Sequence, residues 1–170
     1  MTGWMMSKCF FPGSFDPFTF GHRNIIEKAQ KISEHIIIGI GRHHKKNSLI
    51  DIKERELLIS DSIKEIKAPN TQIDVITFDG LLVQAARDNQ CSVIIRGIRD
   101  TSDLNYEMRM HNTNRHIEPD IETIFIPTDN ELNHVSSSLV KQVFQLGGSI
   151  ESLVPENINK YLIKNSNSIT

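Results

Sequence analysis

The residues of this chain that can do chemistry fall into short, separated groups. The segment Pro12-Gly13-Ser14-Phe15-Asp16-Pro17-Phe18-Thr19-Phe20-Gly21-His22 joins a hydroxyl donor, Ser14, to an imidazole, His22, across two prolines and two glycines. If His22 opens a helix, free backbone N–H groups and positive potential lie beside it, which suits a phosphate. Gly41-Arg42-His43-His44-Lys45-Lys46-Asn47 is a basic run. It reads as a solvated charge cluster or as an anion trap; adjacent His43 and His44 project apart and make a poor metal pair. Arg96-Gly97-Ile98-Arg99 sets two guanidinium forks around a glycine, followed by Asp103, Tyr106 and Glu107. Such forks match phosphate oxygens, or pair with Asp100 and Asp103. Glu107 is a helix-surface charge, a ligand acceptor or a partner that holds an arginine. Val135-Ser136-Ser137-Ser138-Leu139 offers helix-capping hydroxyls and N–H groups that also cradle phosphate. Leu82, after Phe78-Asp79-Gly80-Leu81, is core or the wall of an apolar subsite.

Neither the phosphate-binding Gly-x-x-x-x-Gly-Lys-Ser/Thr loop nor Gly-x-Gly-x-x-Gly is present, and no Ser/His/Asp or Cys/His nucleophile pairing or Cys-x-x-Cys stands out. The ensemble predicts a site for several phosphates, working by alignment and charge stabilisation rather than covalent catalysis.

These groups must be positioned by the elements between them. Cys9–Phe11, His35–Ile40, Ile73–Ile76, Ser92–Ile95 and Thr123–Ile126 are short, almost continuously apolar runs, the pattern of parallel strands covered on both faces. Ile25, Ile26, Ala29 and Ile32 form a helical stripe. Asp51 with Glu54 resembles a capping box ahead of Leu58, Ile59, Ile63 and Ile66. Leu81–Asp88, Leu104–Arg115, a Leu139–Phe144 stripe ended by Gly147-Gly148, and a helix starting at Pro155 complete the series. The order β-α-β-α-β-α-β-α-β-α-α predicts an α/β, Rossmann-like doubly wound parallel sheet of about five strands in a single domain over 1–170. Residues 1–7 are peripheral, and 155–170 form a terminal helix and tail. Ligands of such sheets bind beyond the strands' carboxyl ends, where each chemical group above falls.

Composition excludes other classes. A chain of 170 residues carries one core, not two ordinary domains. A net charge of −2 argues against a dedicated nucleic-acid binder. No apolar run approaches the roughly 18 residues of a membrane span. Met1–Met6 does not read as a signal peptide. Cys9 and Cys91 make no disulfide framework, so a reduced, cytoplasmic protein is expected.

From about Cys9 to Lys160 the chain resembles the phosphopantetheine adenylyltransferase family. Pro12–Pro17 through Gly21-His22 resembles the Thr/His-x-Gly-His signature of the nucleotidyltransferase superfamily. Arg96-Gly97-Ile98-Arg99 with Asp103, Tyr106-Glu107-Met108 and Asn114-Arg115, and Val135–Lys141, resemble that family in particular. Leu132 and His134 stand where its members often carry aromatics, and Asn47 where Lys-Pro is more usual.

The resemblance implies adenylyl transfer from ATP to 4′-phosphopantetheine with Mg²⁺, giving dephospho-coenzyme A and pyrophosphate, the penultimate step of coenzyme A synthesis. It implies a Rossmann-like homohexamer. It makes His22 the transition-state stabiliser, and Ser14, Lys46 and Arg96 the holders of substrate phosphate. Ser14, Phe15, His22, Gly97, Ile98, Arg99, Glu107, Leu132, Asn133, His134, Val135, Ser136, Ser137 and Ser138 would bind ATP, and Leu82 would line the pantetheine side. The Mg²⁺ arrives on ATP, with no protein-built metal cage. Coenzyme A is a candidate feedback ligand, and no nucleic acid or membrane partner is expected. The rival readings are a nicotinate mononucleotide adenylyltransferase or cytidylyltransferase, and a non-catalytic nucleotide-binding regulator on the same fold.

Overall fold

The computed structural model describes residues 8–42 and 48–166. Its strands are β1 (Cys9–Gly13), β2 (His35–Gly41), β3 (Gln72–Phe78), β4 (Val93–Ile98) and β5 (Glu122–Pro127). Its helices are α1 (Phe20–Ala29), α2 (Ile52–Ile63), α3 (Leu82–Asp88), α4 (Thr101–Ile117), α5 (Ser137–Gln145) and α6 (Glu156–Lys164), with a 3-10 turn at Asn130–Leu132. The strands form one parallel sheet in the order β3-β2-β1-β4-β5. The chain therefore winds outward one way from β1, then crosses back to start again at β4.

The continuous apolar runs are explained by packing on both faces. Cys9 and Phe11 of β1, with Ile36, Ile38 and Ile40 of β2, pack among residues of α1, α2, α5 and α6. Phe10 and Ile37, alternating with them, pack on the other face against Val83, Ala85 and Ala86 of α3. Strand side chains alternate between faces, so both must be apolar when both are covered. A Cβ on Gly39 would lie 2.2 Å from the Phe10 ring, so glycine is what lets that ring approach β2 so closely.

Local chemistry sets the helix ends. Asp51 caps α2 by accepting the Lys53 N–H at 2.9 Å, so a simple cap replaces the expected capping box. Pro155 is the N-cap of α6, one position earlier than expected. Helix α1 ends at Ala29 and α2 at Ile63, so Ile32 and Ile66 join the core from the turns that follow. Helix α4 runs beyond its expected bounds at both ends.

One irregularity of the sheet positions the site. β1 pairs with β2 from Cys9↔Ile36 to Gly13↔Ile40, but with β4 only at Cys9↔Val93 and Phe10↔Ile94. The two central strands part beyond Phe10, at the point where the winding reverses. Pro12, which has no N–H to give a central strand, sits where that ladder has stopped. Its carbonyl accepts instead from the Arg96 Nη1 of β4, at 2.6 Å.

Candidate active site

Two adjoining cavities open at this split, of about 900 Å³ and about 270 Å³. Pro12, Gly13, Ser14, Arg96, Glu107, Ser137 and Ser138 line both, so the end of β1 with its loop, β4, α4 and the start of α5 meet where the sheet reverses.

His22 is the third residue of α1 and lines the smaller cavity. Thr19 is the N-cap. The Thr19 N–H donates to His22 Nδ1 at 3.0 Å, while the Thr19 hydroxyl oxygen accepts the His22 N–H at 3.4 Å. This is a capping box with histidine in the place usually held by Glu or Gln. Because Nδ1 is an acceptor, the neutral ring carries its proton on Nε2. The ring packs among Phe11, Phe15 and Phe18, and stacks on Phe18 with centroids 5.5 Å apart. Burial, then the charges of Arg99 and Arg96, push its pKa down to about 3. His22 is thus a neutral donor and a poor base at physiological pH.

A Cβ on Gly97 would lie 2.9 Å from Ile25 Cγ1. The glycine lets α1 press against β4, and so brings His22 close to the two arginines. Both arginines are already paired. Arg96 Nε and Nη2 donate to Glu107 Oε2 and Oε1 at 2.8 and 2.5 Å. With the bond to Pro12, three of the five guanidinium N–H groups are engaged and two remain. Glu107 is only 7% exposed and gives both oxygens to Arg96, so holding an arginine is the sequence-compatible role it takes. Arg99 Nε and Nη2 donate to Asp103 at 2.7 and 2.9 Å. That bonding, partly offset by burial, raises the Arg99 pKa further.

The other expected residues divide. Ser14 is exposed, and its hydroxyl has no partner among the described residues. Phe15 lines the smaller cavity, yet its ring is 1% exposed; any contact with a nucleotide falls to its backbone. Ser136 caps α5 by accepting the Leu139 N–H at 3.1 Å, and the Ser137 hydroxyl donates to the Pro17 carbonyl at 2.8 Å. Ser138 stays exposed, and Val135 is buried at the wall. Leu82, with Leu81, lines the larger cavity. Ile98, Leu132, Asn133 and His134 lie outside the lining of both cavities. Lys46, with His43, His44, Lys45 and Asn47, falls outside the described residues.

Two residues of the larger cavity had no site role read from the sequence: Arg55, and Asn114, which was quoted only as part of the resemblance. Arg55 is 7% exposed and donates from Nη1 to the Ser14 carbonyl at 2.5 Å; its Nε has no partner. Asn114 is 8% exposed, and its amide has no partner among the described residues. Glu107 and Asn114 are the only buried residues of α4 and stand seven apart. That spacing puts two polar residues on one helix face, a signal the sequence offered.

Among the described residues no group of His, Cys, Asp or Glu is arranged to hold a metal. The site carboxylates of Glu107 and Asp103 are committed to arginines.

A cytidylyltransferase-like family model matches residues 10–143. A phosphopantetheine adenylyltransferase of Geotalea daltonii is 45% identical over 152 residues, covering 89% of this chain and 92% of its own. Another, from Natranaerobius thermophilus, is 42% identical and covers 96% of this chain and 98% of its own. Among solved structures, a protein of Vibrio parahaemolyticus described as a candidate nicotinate-nucleotide adenylyltransferase superposes with a TM-score of 0.66. It covers 95% of this chain and 94% of its own at 15% identity, so that likeness speaks to the fold alone.

Proposed function

The chain belongs to the cytidylyltransferase-like family and, within it, to the phosphopantetheine adenylyltransferases, and from that premise we propose how its own residues act. The enzyme is a nucleotidyltransferase that moves the adenylyl group of ATP to 4′-phosphopantetheine in coenzyme A biosynthesis. A phosphate oxygen of phosphopantetheine forms a bond to the α-phosphorus of ATP. The bond from that phosphorus to the α,β-bridging oxygen breaks, and pyrophosphate leaves. The attacking phosphate is already anionic near neutral pH, so the step needs alignment and charge cancellation rather than a strong base.

The observation that carries this reading is the state of His22. A neutral ring whose free proton is on Nε2, set at a helix start between two arginines, is a fixed donor for an α-phosphoryl oxygen. Ser14, the two remaining N–H groups of Arg96, and Lys46 hold the acceptor's phosphate. Gly97, Arg99 and the serine run receive ATP, and Glu107 aims Arg96. Leu82 and the Asn114 amide suit the pantetheine arm, which is apolar with amides along it.

Mg²⁺ enters as part of the ATP complex. The exposed apolar side chains Leu104, Tyr106, Met108 and Ile117 of α4 support assembly of copies, expected as a homohexamer. Sedimentation would check it. Among the described residues no helix is long and apolar enough to cross a membrane. Buried, unpaired Cys9 and Cys91 fit a reducing cytoplasm. Coenzyme A resembles the product closely enough to compete for the site, which competition binding would read.

The deciding experiment measures pyrophosphate release from ATP and Mg²⁺ with 4′-phosphopantetheine, with nicotinate mononucleotide, and with no acceptor. Release only with phosphopantetheine is expected. Release only with the mononucleotide would overturn the acceptor, and ATP binding without release would favour a regulator.

A further inference from the structure

We propose that Asp16 is a positioning residue which, with Arg55, clamps the loop after β1 in the form that presents the Ser14 hydroxyl to the cavity. The proposal rests on the reading above that Ser14 meets substrate phosphate.

The loop is in an unfavourable conformation. Phe15 has φ +47, the left-handed region that a bulky L-residue avoids. Such a residue persists only where its surroundings over-determine it. Ser14 and the three residues after it are each tied to groups outside the loop. The Ser14 carbonyl accepts from Arg55 of α2 at 2.5 Å. The Phe15 ring is buried against Phe11, Phe18 and His22. The Asp16 carboxylate accepts the N–H groups of Leu49 and Ile50 at 2.8 and 2.9 Å, and lies 3.6 Å from Lys141 Nζ of α5. The Pro17 carbonyl accepts from Ser137.

Asp16 therefore joins three parts of the cavity wall: the loop after β1, the segment entering α2, and α5. Leu49 and Ile50 are themselves buried, so their amides cannot turn to water if the carboxylate is lost. Arg55 completes the arrangement with a buried cation that the charges of Asp16 and Asp51 favour. Backbone groups and carboxylates absorb every one of these bonds, and the Ser14 hydroxyl is left for a ligand. A loop carboxylate that only satisfied two stray amides would not need the backbone strain beside it.

The test is a double-mutant cycle between Asp16→Asn and Ser14→Ala, read as kcat/KM for 4′-phosphopantetheine with ATP saturating. If Asp16 acts through Ser14, Asp16→Asn costs about tenfold with Ser14 present and under about threefold with Ser14→Ala, because coupled sites are not additive. An equal factor in both backgrounds, or no loss at all, overturns the proposal. Amide hydrogen exchange on the same proteins reads the clamp without turnover. Asp16→Asn should speed exchange at Leu49 and Ile50 about tenfold while β2 keeps its protection. Unchanged exchange there sinks the clamp. Faster exchange in a protein whose wild type does not use phosphopantetheine would leave the clamp standing and sink the reading of function. Should Asp16→Asn not fold, Arg55→Lys replaces it in the cycle, since lysine keeps the charge and loses the Nη1 bond to the Ser14 carbonyl.

Discussion

The two sides of the cavity are built on opposite plans. The β1–α1 corner is pinned throughout: Thr19 and His22 cap each other, aromatic rings enclose the imidazole, Arg55 and Ser137 hold the loop from outside, and Asp16 ties it to Leu49 and Ile50. The opposite wall, α4, buries only Glu107 and Asn114 and leaves Leu104, Tyr106 and Met108 exposed. The corner is tied down on several sides and α4 is lightly packed; on the proposed function the corner is where charge develops and α4 is the wall that meets the rest of the substrate. Stabilising a transition state needs donors that do not reorganise, whereas gripping a flexible arm tolerates adjustment. On this view, changes in the corner should strike kcat, and changes in α4 should strike KM.

The hardest test of that division is His22→Ala. It should lower kcat by about 10²- to 10³-fold, the scale for losing one preorganised donor, while ATP still binds by calorimetry. Near-normal turnover would remove the corner from the chemistry. Next comes Arg96→Ala, which bridges the two sides. Losing charge-assisted bonds should raise KM for phosphopantetheine by about 30-fold in steady-state kinetics. It should also lower the urea midpoint, because Glu107 is left buried and unpaired. Adding Glu107→Gln should restore the midpoint and not the KM; restoring both would deny Arg96 its substrate.

Asn114→Ala tests the α4 wall alone. An approximately fivefold rise in KM with kcat intact would mark uniform binding; a fall in kcat instead would erase the contrast. Stability as a function of pH tests the corner by a second route. The folded His22 pKa, about 3, lies below its ordinary 6.5, so only the unfolded chain takes up that proton between these values. His22 therefore contributes stability loss as pH falls from 6.5 towards 3, and none above. Urea midpoints from pH 7 to 4 should drop more steeply in the wild type than in His22→Asn, and parallel curves would contradict the neutral imidazole. Least affected should be thiol chemistry. Burial pushes both Cys9 and Cys91 up to about 11, so alkylation of the folded protein at pH 7.5 should be negligible by mass spectrometry.

Much of this was legible in the residues. The strand runs, their order along the chain and the segments bearing Ser14, His22, Arg99 and the serines were readable because each signal is local; Arg96, expected just past the strand, lies inside β4. Periodicity reports which faces are buried, and Gly, Pro, Ser and Asp mark turns and caps within a few residues. The asparagine on the buried face of α4 also left a local trace, in its spacing from Glu107. Arg55 left none. It lies 41 residues from the carbonyl it holds, in a helix whose pattern reads as ordinary. Nothing local could say that the Phe15 ring would turn inward, or that Leu132, Asn133 and His134 would fall outside the cavity lining.

The sequence by itself determined the class of fold, the strands and the residue types that gather beyond their carboxyl ends. It did so because burial periodicity and turn chemistry act over short spans of chain. Only the tertiary structure decided how the gathered groups are used. Where β1 and β4 part, Arg96 reaches across to Pro12 and is held by Glu107, and His22 is kept neutral by burial first and by the charges of Arg99 and Arg96 second. A pKa, a hydrogen-bond partner and a free hydroxyl depend on groups far apart in the chain and a few ångströms apart in space, and that proximity exists only after folding.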